Sequence, residues 1–425
     1  MGERKLKIRI LGAGREVGRA GILVEYGGTR ILFDYGAAID TEPAFPLHVA
    51  PKTLDAVFLS HAHLDHSGAL PMLYVSESRP LYATPLTLEL SEILIRDFLK
   101  ISKYYVPYEV VELESMLSSA RLVRPGDVVE VGEVEVEVVD AGHIPGSCMF
   151  KLRAGGLTVL YTGDYSTTST CLLKGVDPSV AKDVDVLITE ATYAKFDHPP
   201  RERVEREFVD CVLEVLDGGG VVLVPAFSVG RAQEIMCVLH RAGIPYPVHV
   251  DGMARRVAEI LLKYGEYLRD PKCYERAFKS TRIVADWRSR KRSLKRPCVL
   301  VSPAGMLKGG ASVFYMEKIL DDPRHGVFFV SYQIEETPGR MVLEDGVFPS
   351  KVGAKRVKAR VEWFDFSSHS GISGLRRVAE STPGHAKVVI VHSGEEGGEE
   401  FKRFCEEIGR EAYFPENGEE IVVEA

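Results

Sequence analysis

The chain has 425 residues, 45% apolar and 27% charged, enough for a large core or two domains. A net charge of −8 excludes a globally basic nucleic-acid binder, so any nucleic-acid contact has to be local. No apolar run approaches the ~18 residues needed to cross a bilayer, and no signal-type apolar segment follows the start, so a cytoplasmic protein without membrane contact is expected. Taken in chain order, "LKIRILGAG", "AGILVEYGG" and "TRILFDYG" read as consecutive strands, each ended by glycine. "LDAVFLSH" is a buried strand delivering His61, and "PLTLELSEILIRDFLK" has helical periodicity. "GDVVEVGEVEVEVVDAGH" alternates strictly and predicts a hairpin whose second strand runs into His143. "LTVLYTGD" and "VDVLITEAT" are strands ending at Asp164 and Glu190.

The texture changes after "FDHPPRE". A helix, "RERVEREFVDCVLEVLD", leads into the strand "VVLVPAF" and the helix "SVGRAQEIMCVLHRAG", with Ser228 placed to cap it. "PVHVD", "CVLVSPA" and "GVFFVSY" are further short apolar strands with helices between some of them, the alternation of parallel βαβ units. From about residue 360 the strand-like pieces "ARVEWFDF", "AKVVIVHSG" and "EEIVV" return. The chain therefore reads as one domain, 1–200 and 358–425, split by a Rossmann-like insert at 201–357.

The stretch "SHAHLDHSG" places His61, His63, Asp65 and His66 within six positions at the end of a buried strand. Isolated, each would read as an ordinary polar residue. Together they are too many for one tetrahedral ion held by so short a loop. His143, Asp164 and His392 also end predicted strands. Seven such residues, one carboxylate bridging, suit two metals about 3.5–4 Å apart, and imidazole with carboxylate suits zinc. The seven cysteines contain no C-x-x-C pair, read as small buried hydrophobes, and exclude a zinc ribbon. One asparagine and two glutamines among many charged residues point to a thermophilic source.

"HAHLDH", preceded by Asp34 in "ILFDYG" and followed by "GH" at 142–143 and "TGD" at 162–164, resembles the metallo-β-lactamase fold. "GHIPGSCMF", "YTGDYS", "TEATY", "VPAFSVGRAQE", "SPAGMLKGG" and "FDFSSHSG" narrow the resemblance to its β-CASP branch, which holds the nuclease-type subunit of the cleavage and polyadenylation specificity factor, its prokaryotic relatives, and RNase J. The wording is closer to the cleavage-factor type than to RNase J, and no KH domain is expected ahead of the fold. The resemblance implies an α/β architecture, a metallo-β-lactamase αββα sandwich with an inserted Rossmann-like β-CASP domain. It implies that His61, His63 and His143 bind one zinc, that Asp65, His66 and His392 bind a second, that Asp164 bridges them, and that Asp34 orients the ligands without binding. It also implies a catalytic set of Asp65, Glu190 and His369, with His369 as general acid held by Glu190.

The implied activity is hydrolysis of phosphodiester bonds in single-stranded RNA, as endonuclease, 5′→3′ exonuclease or both. His392 favours RNA over DNA, because DNA-cutting members tend to carry an apolar residue there. Ser228 and Arg231 could hold a phosphate or simply cap a helix and pair with an acid. By resemblance Ser331, Arg340 and Ser367, from "VSYQ", "TPGR" and "DFSS", build the pocket for a 5′ end. "DWRSRKRSLKRP" (286–297) has six basic residues and Trp287, and "KVGAKRVKAR" (351–360) has five more. These segments follow an RNA backbone or are solvated surface. Relatives commonly homodimerise, and some work within RNA-processing complexes. The sequence departs from the family at Ser393 after His392, around Tyr332-Gln333 and Thr337, and at Ser370. Two other readings are a small-molecule hydrolase of the same fold, which needs neither the insert nor a Glu190–His369 pair, and a non-catalytic scaffold subunit, which would have eroded ligands.

Overall fold

The computed structural model describes residues 5–38, 42–102, 105–350 and 353–424. The first four residues of the charged N-terminal stretch and the first two of the basic stretch 351–360 lie outside the described residues. The chain divides into two compact units. One contains the described residues up to Ser169, Gly175–Asp197 and those from Ser368 onward; the other contains Thr170–Lys174 and His198–Ser367.

The first unit holds two seven-stranded sheets. One is ordered Glu420–Glu424, Lys5–Gly12, Gly21–Tyr26, Thr29–Phe33, Ala56–Phe58, Leu81–Ala83, Ala120–Leu122, antiparallel over its first four strands and parallel thereafter. The other is ordered Glu411–Tyr413, Lys387–Val391, Val186–Glu190, Leu157–Tyr161, Cys148–Ala154, Val134–Asp140, Val128–Val131, parallel over its first four and antiparallel thereafter. The alternation in "VEVEVVD" does what period-two patterning requires: Val134, Val136 and Val138 are buried and Glu135 is exposed. The inner faces of both sheets share one core, with Phe33, Phe58, Phe150 and Tyr161 in ring contact. The helix Pro85–Ser102 covers the outer face of the first sheet, and Ile372–Ser381 with Glu395–Glu407 covers that of the second. This is an αββα sandwich.

Phe150 sits at the middle of that core, fully buried, with its ring centroid 5.6 Å from Phe33 and 5.2 Å from Phe58. Phe150→Ala is expected to lower stability by about 3–5 kcal/mol, through lost burial and the cavity left behind. Denaturant unfolding of the pure protein checks it.

The second unit has a six-stranded sheet, all parallel, ordered Arg282–Ile283, Val248–Val250, Cys298–Ser302, Val221–Pro225, Gly326–Phe329, Arg360–Trp363. Its central strands are continuous apolar runs because helices cover both faces. Helices Arg201–Asp217, Arg231–Arg241 and Gly252–Leu261 pack with one face, and Gly310–Ile319 with Pro338–Asp345 on the other. The strand Arg360–Trp363, read in the sequence with the C-terminal pieces, is the edge strand of this sheet. Among the described residues no helix is long and apolar enough to cross a membrane, and all seven cysteines are free.

Candidate metal centre

Parallel strands aim their carboxyl ends at one edge of a sheet, and here those ends carry the chemistry. Leu157–Tyr161 runs into Asp164, Val186–Glu190 ends on Glu190, and Lys387–Val391 stops just before His392. In the facing sheet Ala56–Phe58 leads to His61, and the short helix Leu64–Ser67 carries Asp65 and His66. Two glycines allow the backbones to close up. A Cβ on Gly36 would lie 1.7 Å from the Asp65 carbonyl oxygen. Gly163 has φ +50°, and a Cβ there would press on Ser60 at 2.8 Å.

The seven residues form two groups sharing Asp164. His61, His63, His143 and Asp164 offer donor atoms within 4.8 Å of one another, and so do Asp65, His66, Asp164 and His392. In the first group His61 Nε2 and His143 Nε2 stand 3.6 and 3.7 Å from Asp164 Oδ2, and His143 Nε2 stands 3.2 Å from His63 Nδ1. In the second, His66 Nε2 is 3.3 Å from Asp164 Oδ1 and His392 Nε2 is 3.4 Å from Asp65 Oδ2. Donors bound at about 2.0–2.1 Å around one tetrahedral zinc stand roughly 3.3 Å apart, so the spacing fits such an ion. The hydrogen bonding fits as well. Nε2 of His61, His66 and His392 and Oδ1 of Asp164 are buried without a hydrogen-bond partner. Buried polar atoms are otherwise nearly always paired, so four converging orphans mark a place for a cation.

The outer ring nitrogens fix the tautomers. Asp34 accepts from Ser60 N, Ser60 Oγ, His66 Nδ1 and Tyr161 OH, each at 2.7 Å. Since the Ser60 hydroxyl gives its proton to Asp34, its oxygen accepts from His61 Nδ1 at 3.0 Å. Thr192 in the same way donates to Glu190 and accepts from His392 Nδ1 at 3.2 Å. His143 Nδ1 donates to the Ser368 carbonyl at 3.0 Å. Nε2 of His61, His66, His143 and His392 is thereby left with its lone pair toward the cluster. Asp34 and His392 both sit at positive φ, +56° and +50°, a strain that the surrounding contacts hold in place. Ser60, Tyr161 and Thr192 were not singled out from the sequence. Tyr161→Phe removes one of four bonds to Asp34 and is expected to weaken zinc binding by about 10- to 100-fold; competition with a chromophoric chelator measures it.

Electrostatics separates the two groups. Burial, reinforced at His61 by His66 and at His143 by His369, pushes the pKa of His61, His63 and His143 down, which favours the neutral ring that binds a metal. At His66 and His392 burial also opposes charge. Asp164 overrides it, joined by Asp34 at His66 and by Asp65 at His392, and both pKa values rise. Asp164 is held below the usual carboxylate range against burial, by His392 and His66.

Beside the cluster lies a separate pair. His369 Nδ1 is 2.9 and 3.0 Å from the two Glu190 oxygens. Burial works against a charged His369, but Glu190 and then Asp164 raise its pKa to about 9. Asp164, Glu190 and His369 also approach closely enough to suggest a third metal group. The bonding argues otherwise: Glu190 already accepts from Tyr165 N, Thr192 N and Thr192 Oγ1, and its oxygens hold His369 Nδ1. The Glu190 carboxylate faces His369 Nδ1 with both oxygens and favours the protonated ring.

The residues expected to contact RNA all lie in the second unit. Ser228 does not cap a helix. The helix Arg231–Arg241 starts after Gly230, which takes φ +79° and leaves Ser228 outside the first turn, its carbonyl bonded to Gln233. Arg231 donates to the Val330 carbonyl, next to Ser331, which is buried with its Oγ unpartnered. Arg340 pairs with Glu344 one turn along its helix at 2.5 Å. The Ser367 carbonyl accepts from Arg201 at 2.7 Å. Arg231 is thus brought beside Ser331 through the Val330 carbonyl.

Three family models match: the metallo-β-lactamase superfamily over residues 15–208, the Beta-Casp domain over 232–342, and the Zn-dependent metallo-hydrolase RNA specificity domain over 355–415. RNase aCSPSF2 of Saccharolobus solfataricus is 41% identical over 97% of this chain and 85% of its own length. Probable RNase MJ4 of Methanocaldococcus jannaschii is 33% identical over 98% of this chain and 100% of its own, and ribonuclease TTHA0252 of Thermus thermophilus 32% over 92% and 94%. A crystal structure of a protein of unknown function from Enterococcus faecalis superposes with a TM-score of 0.64 over 99% of this chain and 100% of that one, at 17% identity, a likeness of fold. Site, domain models and full-length relatives converge, and the chain belongs to the β-CASP branch of the metallo-β-lactamase superfamily.

Proposed function

We propose that this chain is a metal-dependent ribonuclease of RNA processing or decay that hydrolyses single-stranded RNA with two zinc ions. The observation that carries the reading is the pairing of two four-residue donor groups, joined at Asp164, with a separate Glu190–His369 proton pair. The names of its relatives, three of them ribonucleases, support it.

His61, His63, His143 and Asp164 would hold one zinc; Asp65, His66, Asp164 and His392 would hold the other. Bound zinc supplies Lewis acidity, which lowers the pKa of water toward ~7 and offsets charge on the phosphoryl oxygens. Asp65, one-third exposed, is the carboxylate of the cluster that reaches solvent, and it takes the proton of the attacking water. The P–O3′ bond breaks as the new P–O bond forms, and the leaving 3′ oxygen needs a proton. His369 delivers it from Nε2, because Nδ1 is committed to Glu190. Glu190 keeps the ring oriented and charged between turnovers.

The test is a time course on single-stranded RNA labelled differently at its two ends, with zinc-loaded protein and both 5′-monophosphate and 5′-hydroxyl substrates. Immediate release of the 5′ label as mononucleotide, faster from the monophosphate, means a 5′→3′ exonuclease. Discrete internal fragments, indifferent to the 5′ group, mean an endonuclease. Absence of any cleavage by protein carrying zinc overturns the reading in favour of a small-molecule hydrolase or a scaffold.

A further inference from the structure

The segment Asp286–Pro297 of the second unit is the densest run of positive charge in a chain of net charge −8. Runs of this kind are commonly just solvated surface, and the use of its acids and aromatics decides the matter here. The helix Trp287–Ser293 is pinned from one side by Arg290, whose Nε and second terminal nitrogen grip Asp251 at 2.6 and 2.8 Å. Asp251 is buried and also accepts from Tyr315 at 2.8 Å. Asp286, the one acid of the segment, is consumed as the helix cap, accepting from Ser289 N at 2.7 Å. Arg288, Lys291, Arg292, Lys295 and Arg296 are exposed, and none forms an ion pair among the described residues. Elsewhere in the same unit Arg255, Lys279, Arg324, Arg340 and Arg360 all reach a glutamate or an aspartate.

The aromatic is the second observation. Trp287 is 51% exposed, although its ring centroid lies 4.5 Å from that of Phe314. Lys291, one turn along, holds its Nζ 5.1 Å from the indole centroid, and the Arg290 guanidinium lies at 5.9 Å. The indole is braced on one aromatic and flanked by cations, with half its surface left to solvent. An acidic protein partner would match the charge but has no use for a flat ring. A duplex matches the charge but hides its bases. A single strand offers both phosphates and unstacked base faces.

We infer that Trp287 with Arg288, Lys291, Arg292, Lys295 and Arg296 forms a sequence-tolerant docking track for single-stranded RNA, separate from the metal ligands. The inference rests on the ribonuclease reading and names where its substrate is held beyond the bond being cut. The experiment is a titration of the full chain, in EDTA to prevent cleavage, with fluorescein-labelled 20-nucleotide RNAs at several salt concentrations. The triple variant Arg288→Gln/Lys291→Gln/Arg292→Gln is expected to flatten the slope of log K against log salt by about 2, from roughly 0.7 per phosphate contact. Trp287→Leu keeps an apolar side chain over Phe314 and is expected to weaken binding by about 5-fold or more for oligo-U and oligo-A alike, and to abolish the RNA-dependent quenching of tryptophan fluorescence.

Wild-type affinity and slope in the triple variant, alongside RNA cleavage by the zinc-loaded wild type, overturn the track and leave the ribonuclease reading standing. Equal competition by duplex RNA or by polyglutamate overturns it as well. A zinc-loaded wild type that neither cuts nor binds RNA overturns both.

Discussion

His369→Ala is expected to slow RNA hydrolysis by about 100- to 10,000-fold while the protein keeps the zinc content of the wild type. The magnitude is that of a lost general acid. Retention of zinc follows from the bonding: His369 Nδ1 is tied to Glu190, and both four-residue donor groups are complete without it. A purely structural role would give the same loss on RNA, so a second substrate separates the two. Bis(p-nitrophenyl) phosphate has a leaving group that departs as a stable anion and needs no proton. The variant should hydrolyse it at close to the wild-type rate, because only the protonation of a poor leaving group has been removed. Equal losses on both substrates, or a drop in bound zinc, would show that His369 shapes the site rather than serving as the acid. Glu190→Gln should behave in the same sense, with a smaller effect, since an amide can still orient the ring but no longer carries the charge that raises the pKa of His369.

The parts of this site that were legible in the sequence are those whose spacing alone constrains geometry. Four metal-type residues within six positions, following three buried strand residues, have few arrangements open to them. The continuous apolar runs of the insert likewise admit little but a parallel sheet covered on both faces. His392 is different. One histidine after one strand says nothing by itself, and only the resemblance placed it with Asp65, 327 positions earlier by number (392 − 65). Tyr161, Ser60 and Thr192 were invisible for a related reason. Each is an ordinary residue for a strand or turn, and their convergence on Asp34 and Glu190 is set by how strands line up, which local pattern does not encode. Ser228 misled because a serine directly before a helical run is the usual cap signal, whereas the helix starts later, at Arg231, after Gly230 at φ +79°. The strand Arg360–Trp363 has half-buried residues along most of its length, so its pattern fits the edge of any sheet.

Asp164→Asn is expected to do what His369→Ala does not: abolish hydrolysis of RNA and of bis(p-nitrophenyl) phosphate together, and leave less than one zinc per chain. Asp164 is the residue common to both donor groups, with one oxygen 3.6 and 3.7 Å from Nε2 of His61 and His143 and the other 3.3 Å from Nε2 of His66. Asparagine keeps the shape but places an amide nitrogen where one of those oxygens stands, and it cannot supply the negative charge that would balance the two zinc ions proposed for this site. The rate loss is set by the chemistry that the ions supply. Shifting the pKa of water from 15.7 to ~7 changes the supply of hydroxide by many powers of ten, so a fall of about 10,000-fold or more is expected on either substrate. A stability measurement gives an independent readout. Zinc at a hundredfold excess over its Kd stabilises a protein that binds it only when folded by about 2.7 kcal/mol for one site. The unfolding transition of the wild type should therefore move up on adding zinc, and that of Asp164→Asn should barely respond. His63→Ala, which removes a donor from the first group only, should fall between them, losing hydrolysis but keeping part of the zinc-dependent shift. If Asp164→Asn still carries two zinc ions, the bridging role is wrong and the two groups bind their metals independently.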